Sequence, residues 1–125
     1  MNLDPIWPQV SAHLQPALEF GMNTHRLEDV RALVENGVAQ LWPMPGGSIV
    51  TEILEMPSGE KTLRYWLAGG RLEALLMAEP GISEWARVEH GCSSAEIIGR
   101  RGWKKVLPQY RHVADQLWRR LAGDA

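Results

Sequence analysis

The stretch YWLAGGR, from Tyr65 to Arg71, joins a strand pattern to a helix pattern in the middle of the chain. This pattern predicts a strand that ends in Gly69 and Gly70 and a helix that begins near Leu72. Such a turn exposes backbone N–H groups at a helix N-terminus, which is a common way to hold an anionic group such as a phosphate. A tight corner without a ligand explains the same glycines. The interpretation of the chain depends on which of the two holds.

Before this stretch the period of the apolar residues changes, and short apolar runs separated by turn signals predict an antiparallel meander. We expect strands over residues 38–42, 48–56 and 61–68, and Pro43 is expected to stop the first of them. Residues 57–60, with the sequence PSGE, give a clear turn signal between the second strand and the third.

Helical spacing of apolar residues occurs on both sides of the meander. A first helix is predicted over residues 5–20, with a kink or a break at Pro16. A second helix is predicted from an N-cap at Thr24 to a C-terminal Asn36-Gly37. A third is predicted to begin at residue 72, to be interrupted at Pro80-Gly81 and to continue to Gly91.

The C-terminal part of the chain gives a weaker signal. Residues 95–98 predict a short strand, and residues 103–107 predict a short helix. Residues 110–122 fit a helix or a strand, and the pattern leaves that choice open. The length of 125 residues fits a single domain spanning 1–125.

Composition narrows the class of protein. The chain is 45% hydrophobic and 22% charged, it has no long apolar run that would span a membrane, and its N-terminus lacks a signal-peptide pattern. The single cysteine, Cys92, fits an inert thiol in a reducing compartment, so we expect a cytoplasmic protein. Because the four histidines are scattered and no cysteine pair exists, no metal site is predicted.

Charge is unevenly distributed along the chain. The net charge is −2, yet residues 100–125 hold seven basic and two acidic side chains. A basic cluster around Trp103 offers the combination of charge and aromatic ring that grips nucleic acid. We favour the plainer interpretation, a solvated corner with the tryptophan packed inward. The cluster consists of Arg100, Arg101, Lys104 and Lys105.

The stretch EHGCSSAEIIGRRGWKKVL, residues 89–107, resembles the GNAT acyltransferase family. It looks like the version found in small GNAT-like proteins of tailed bacteriophages and prophages. The resemblance covers roughly residues 24–112 at the level of the fold and is specific over residues 85–107. It implies an α/β (α+β) fold with a central, mixed, mostly antiparallel sheet flanked by helices.

The same resemblance implies a function and a cofactor. A protein of this family transfers an acetyl group from acetyl-CoA to an amine, and Gly69, Gly70 and Arg71 occupy the position of its pyrophosphate-binding loop. That loop is shorter here than the family's motif. The alternative expectation is therefore a catalytically inactive GNAT fold with a structural or interaction role, for example with phage structural proteins in virion assembly.

Catalytic residues are not assigned from the sequence. Enzymes of this family commonly use a strand glutamate to help deprotonate the amine and a tyrosine to protonate the leaving thiolate. Glu52, Glu55 and Glu96 lie on predicted strands, and Tyr110 follows the predicted short helix, but no motif fixes their roles. The acyl acceptor and the oligomeric state are left open.

Overall fold

A sheet of four strands, flanked by helices on both faces, forms the centre of the computed structural model. The structure describes residues 2–99, 103–113, 119 and 121, and of Lys104 the backbone alone. Residues 110–113 form neither helix nor strand, and most of the segment whose type was left open lies outside the described residues. In chain order the elements are α1 (Trp7–Phe20), α2 (Leu27–Glu35), β1 (Gln40–Met44), β2 (Gly47–Glu55), β3 (Lys61–Gly70), α3 (Leu72–His90), β4 (Ser94–Ile97) and α4 (Trp103–Val106).

The strand order is β1-β2-β3-β4, as in a meander followed by one crossover. β1 pairs with β2 and β2 pairs with β3, both in antiparallel fashion, while β4 lies parallel to β3 after the chain has crossed over through α3. A parallel neighbour needs such a crossover because both strands must start at the same edge of the sheet. The prediction of a mixed, mostly antiparallel sheet flanked by helices is confirmed.

Each face of the sheet carries its own hydrophobic cluster. Ile49 and Val50 are neighbours in β2 and point to opposite faces, so each joins a different cluster. On the first face α1 supplies buried side chains at helical spacing; they are Val10, Leu14 and Leu18. On the second face α3 supplies Leu75, Ile82 and Ala86.

Two predictions about prolines are wrong, for different physical reasons. Helix α3 runs through Pro80 without a break, since its apolar stripe packs on the sheet along the helix and outweighs the lost hydrogen bond. Pro43 lies inside β1, opposite Ser48, instead of ending it. β1 is an edge strand, where a missing N–H costs no ladder partner if it faces outward.

Other predicted boundaries shift by a few residues. The N-cap of α2 is Arg26 and not Thr24, because the Asp29 carboxylate accepts the Arg26 backbone N–H at 2.8 Å. Helix α1 continues past Pro16 to Phe20. Strand β3 extends to Gly70, and β4 ends at Ile97, one residue earlier than predicted. Among the described residues, no helix is both long and apolar enough to cross a membrane.

Candidate functional site

The two parallel strands part at a defined point. β4 pairs with β3 only from Thr62 to Tyr65, whose partner is Ile97, whereas β3 continues for five more residues. The register between β2 and β3 also shifts here, so that Trp66 is an extra residue in β3. A bulge of this kind bends the strand and increases its twist. Within the described residues, the edge of β3 beyond Tyr65 therefore has no strand partner on the β4 side.

A polar cluster lies beneath this point on the α3 face. The Tyr65 hydroxyl lies 2.7 Å from the Ser83 Oγ and donates to the backbone carbonyl of Glu79 at 3.1 Å. The Ser83 hydroxyl donates to Glu79 Oε1 at 3.3 Å, and the Tyr110 hydroxyl donates to the same oxygen at 3.4 Å. Three separate parts of the chain, β3, α3 and the segment after α4, thus meet at Glu79, whose backbone carbonyl contacts Tyr65 and whose carboxyl group contacts Tyr110.

This cluster is buried and incompletely satisfied. Glu79 is only 8% exposed, and its Oε2 atom has no hydrogen-bond partner among the described residues. Burial is also the main reason why the pKa of Tyr65 is well above its ordinary value and why that of Tyr110 rises to about 12. Both phenols therefore keep their protons at neutral pH.

A second polar group spans three strands on the opposite face. Arg64 of β3 donates from Nε to Glu96 Oε1 of β4 at 2.7 Å, and its Nη1 lies 4.0 Å from Glu52 Oε1 of β2. All three side chains are partly exposed, and together they carry one net negative charge. The structure thus brings together two of the three strand glutamates singled out from the sequence. Glu55 lies apart, exposed at the end of β2.

The loop between α1 and α2 reaches the strand bulge. The His25 ring contacts Trp66 edge to face, with 4.7 Å between ring centroids, and its Nδ1 lies 3.0 Å from the Thr24 hydroxyl. Met22 and Asn23 in this loop both have positive φ angles, 65° and 54°. That conformation is uncommon for residues with a side chain, so the path of the loop is unusual. No pattern in the sequence singled out His25.

Gly69 and Gly70 lie in β3, opposite Ser48 and Gly47, and the chain turns at Arg71. A Cβ on Gly69 would stand 1.7 Å from the carbonyl oxygen of His13 in α1. A Cβ on Gly70, which has φ +115°, would stand 2.2 Å from the carbonyl oxygen of Gly46. Close backbone packing therefore requires both glycines.

Arg71 caps the start of α3. Its backbone N–H donates to the Gly46 carbonyl at 2.7 Å, and no side chain caps the first turn of the helix. The N–H groups of the first turn, from Leu72 to Ala74, are therefore open to an anion, although the acidic Glu73 lies in the same turn. The role of Gly69, Gly70 and Arg71 in cofactor binding remains a prediction.

The other predicted sites are only partly described. Cys92 is buried, and burial raises its pKa, which fits an inert thiol. Of the basic cluster, Lys105 is exposed, whereas Arg100, Arg101 and the side chain of Lys104 lie outside the described residues. No group of three or more potential metal ligands occurs in the part of the chain that the structure describes.

Glu79, Ser83 and Tyr65 were missed as site residues from the sequence. One signal was present, since Leu75, Glu79, Ile82 and Ala86 follow one another at helical spacing along the buried stripe of α3. A glutamate within such a stripe is unusual, because burying a carboxyl group without partners is costly.

Comparisons with protein-family models and with curated protein sequences gave no match. Solved structures do match. TTHA1254 from Thermus thermophilus is 16% identical, with 94% of each chain covered and a TM-score of 0.58. A ribosomal-protein-alanine N-acetyltransferase from Brucella melitensis biovar Abortus is 13% identical, with 98% of this chain and 96% of that chain covered and a TM-score of 0.59. The fold of this chain is therefore GNAT-like.

Proposed function

We propose that this protein is an N-acyltransferase that moves an acetyl group from acetyl-CoA to an amine. The observation that carries the proposal is the parting of β3 and β4 after Tyr65, with polar side chains on both faces at that point. The similarity in fold to an N-acetyltransferase supports the same conclusion. We also expect the reaction to take place in the cytoplasm, as the single cysteine suggested.

The start of α3 fits the phosphates of the cofactor. Its first-turn N–H groups have no side-chain cap, and the positive end of the helix dipole favours an anion there. Arg71 adds a positive charge directly before the helix. Gly69 and Gly70 contribute by allowing the close packing that sets the direction of Arg71 and of the first turn.

The chain's own residues supply the proton transfers. When bound, acetyl-CoA provides an acyl thioester, whose sulfur leaves as a thiolate. Tyr110 is the candidate for protonating such a leaving group, because its hydroxyl lies beside the point at which the strands part and burial keeps the phenol protonated at neutral pH. Glu52 and Glu96 on the opposite face are the candidates for removing the proton of the amine, directly or through water.

Ligand-dependent stabilisation tests this proposal. A ligand at 100 times its Kd that binds only the folded form raises the free energy of unfolding by about 2.7 kcal/mol. We expect the melting temperature of the wild type to rise with acetyl-CoA, and Arg71→Ala to reduce that rise. Arg87→Ala is the matched control, since Arg87 lies near the other end of α3 and pairs with Glu84 at the surface.

Acetyl transfer is then measured by the release of free coenzyme A in the presence of a panel of amines. Binding followed by amine-dependent release would establish the activity. The absence of any stabilisation at millimolar acetyl-CoA would contradict the proposal.

A second candidate function is a catalytically inactive GNAT fold that serves as a structural or interaction protein, for example in virion assembly of a phage or prophage. Two observations favour it: the glycines of the β3–α3 turn are needed for packing alone, and Glu73 opposes an anion at the first turn of α3. Failure to bind acetyl-CoA, together with capsid or terminase genes beside this one, would support it over the enzyme. Binding of nucleic acid through Arg100, Arg101, Lys104 and Lys105 is not favoured. A gel shift whose affinity falls steeply with added salt would be the evidence in its support.

A further inference from the structure

The Glu79 carboxyl group is short of one hydrogen-bond donor. Its Oε1 atom accepts from Ser83 and Tyr110, whereas its Oε2 atom has no accessible surface and no partner among the described residues. No described basic side chain forms an ion pair with it. The carboxyl group is therefore hydrogen-bonded at Oε1, whereas Oε2 is buried without a described partner.

Such an arrangement costs stability. A buried polar atom without a partner destabilises a protein by about 1–3 kcal/mol. An apolar residue would continue the buried stripe of α3 formed by Leu75, Ile82 and Ala86 without that cost. A donor that is supplied only when a ligand binds would explain why a glutamate is present.

The position of Glu79 indicates where that ligand lies. Tyr65, whose hydroxyl donates to the Glu79 carbonyl, is the last residue of β3 that pairs with β4. Tyr110 approaches the same carboxyl group from the segment that follows α4. Glu79 therefore lies beside the point at which the parallel strands part.

We propose that Glu79 Oε2 accepts a hydrogen bond from an amide N–H in the pantetheine arm of the acyl thioester. This inference rests on the proposed function, because it assumes that the ligand is a coenzyme A thioester. Ser83 positions the carboxyl group through Oε1. Since Oε2 has no accessible surface in the absence of ligand, the Tyr110 side chain, whose hydrogen bond is long at 3.4 Å, moves aside as the arm enters.

Isothermal titration calorimetry with two ligands tests this contact. Coenzyme A contains the arm, and adenosine 3′,5′-bisphosphate lacks it. Glu79→Met keeps the length of the side chain but has no strong acceptor, so we expect it to weaken coenzyme A binding by about tenfold, as the loss of one hydrogen bond predicts. Binding of the bisphosphate should be unchanged. Glu89→Met, an exposed site on the same helix, is the control and should leave both affinities unchanged.

The possible results separate this inference from the proposed function. Equal weakening of both ligands would mean that Glu79 acts through the fold and would overturn the contact. An unchanged affinity of Glu79→Met for coenzyme A would also overturn it. If the wild type binds neither ligand, the proposed function fails and the contact fails with it.

A second variant covers the case in which Glu79→Met does not fold. Glu79→Asp keeps the carboxyl group but shortens the side chain by one methylene group, which moves the carboxyl group away from the proposed ligand. We expect weaker binding of coenzyme A and unchanged binding of the bisphosphate. Wild-type affinity of Glu79→Asp for coenzyme A would contradict the proposed contact.

Discussion

The two ends of the short path from Tyr65 to Arg71 differ in how completely they are packed. At Gly69 and Gly70 the backbones of β3, α1 and the β1–β2 turn touch, and no room is left for a single methyl group. At Tyr65 the neighbouring Glu79 side chain is also buried, yet one of its carboxyl oxygens has no partner among the described residues. Backbone packing thus explains why glycines occupy positions 69 and 70. The candidate site, in contrast, lies beside Glu79, where the packed side chains leave Oε2 without a described hydrogen-bond partner.

The largest expected effect comes from Gly69→Ala, which tests the packed end. The added Cβ meets the His13 carbonyl oxygen, so helix α1 must move, and we expect the free energy of unfolding to fall by about 3 kcal/mol or more. Urea denaturation measures the change.

Gly81→Ala is the matched control for that substitution. Gly81 lies in α3, and a Cβ there meets no heavy atom within 4 Å. Replacing a glycine inside a helix should stabilise the protein by about 0.5–1 kcal/mol. A Gly69→Ala variant as stable as the wild type would show that the close approach of α1 is wrong.

A second prediction concerns the cluster around Tyr65 and the dependence of the free energy of unfolding on pH. Tyr65 and Tyr110 are the only tyrosines of the chain, and the pKa of each is raised above the ordinary value of 10.0. Above pH 10 the unfolded phenols ionise while the folded ones keep their protons. The free energy of unfolding should therefore fall as the pH rises from 10 towards 12, by about 1.4 kcal/mol per pH unit for each tyrosine.

Denaturation at a series of pH values measures this loss, and the ultraviolet absorbance of phenolate reports the ionisation directly. Tyr110→Phe and Tyr65→Phe should each reduce the fall of the free energy of unfolding with pH by the contribution of one tyrosine. This comparison separates the tyrosine contribution from that of the lysines, which titrate in the same pH range. Phenolate absorbance that appears in the folded protein near pH 10 would contradict the buried cluster.

The smallest expected effect lies on the opposite face. Glu96→Gln breaks the 2.7 Å pair with Arg64, but the two side chains are 38% and 32% exposed, so we expect a loss of only about 0.5 kcal/mol. The loss should decrease with added salt, because exposed charges are screened. A loss of several kcal/mol, insensitive to salt, would mean that this face is covered in the folded protein.

Much of the fold could be predicted from local patterns. Helical spacing of apolar residues predicted α1 and α3. Short apolar runs on either side of the turn at residues 57–60 predicted β2 and β3, and the structure contains all four elements. These signals are local because the period of apolar residues reflects the geometry of a single element. The errors at Pro43 and Pro80 arose because the sequence does not show that β1 is an edge strand or how firmly α3 packs.

The candidate site could be predicted only in part. Glu52, Glu96 and Tyr110 were singled out, but their neighbours Arg64, Glu79 and Ser83 were not. Two of these contacts join elements that are distant along the chain: the Arg64–Glu96 pair spans 32 residues and the Tyr110–Glu79 pair spans 31. No local spacing encodes such a pairing.

The sequence by itself determined the order and type of most elements, the glycine-containing strand end and the mixed sheet that it implied. Only the tertiary structure decided that Gly69 and Gly70 are held by the backbones of α1 and the β1–β2 turn, and that a glutamate of α3 meets tyrosines from β3 and from the segment after α4. The physical reason is that propensity and periodicity act over neighbouring residues. Close backbone approach and buried hydrogen bonds, in contrast, depend on which distant segments the fold brings into contact.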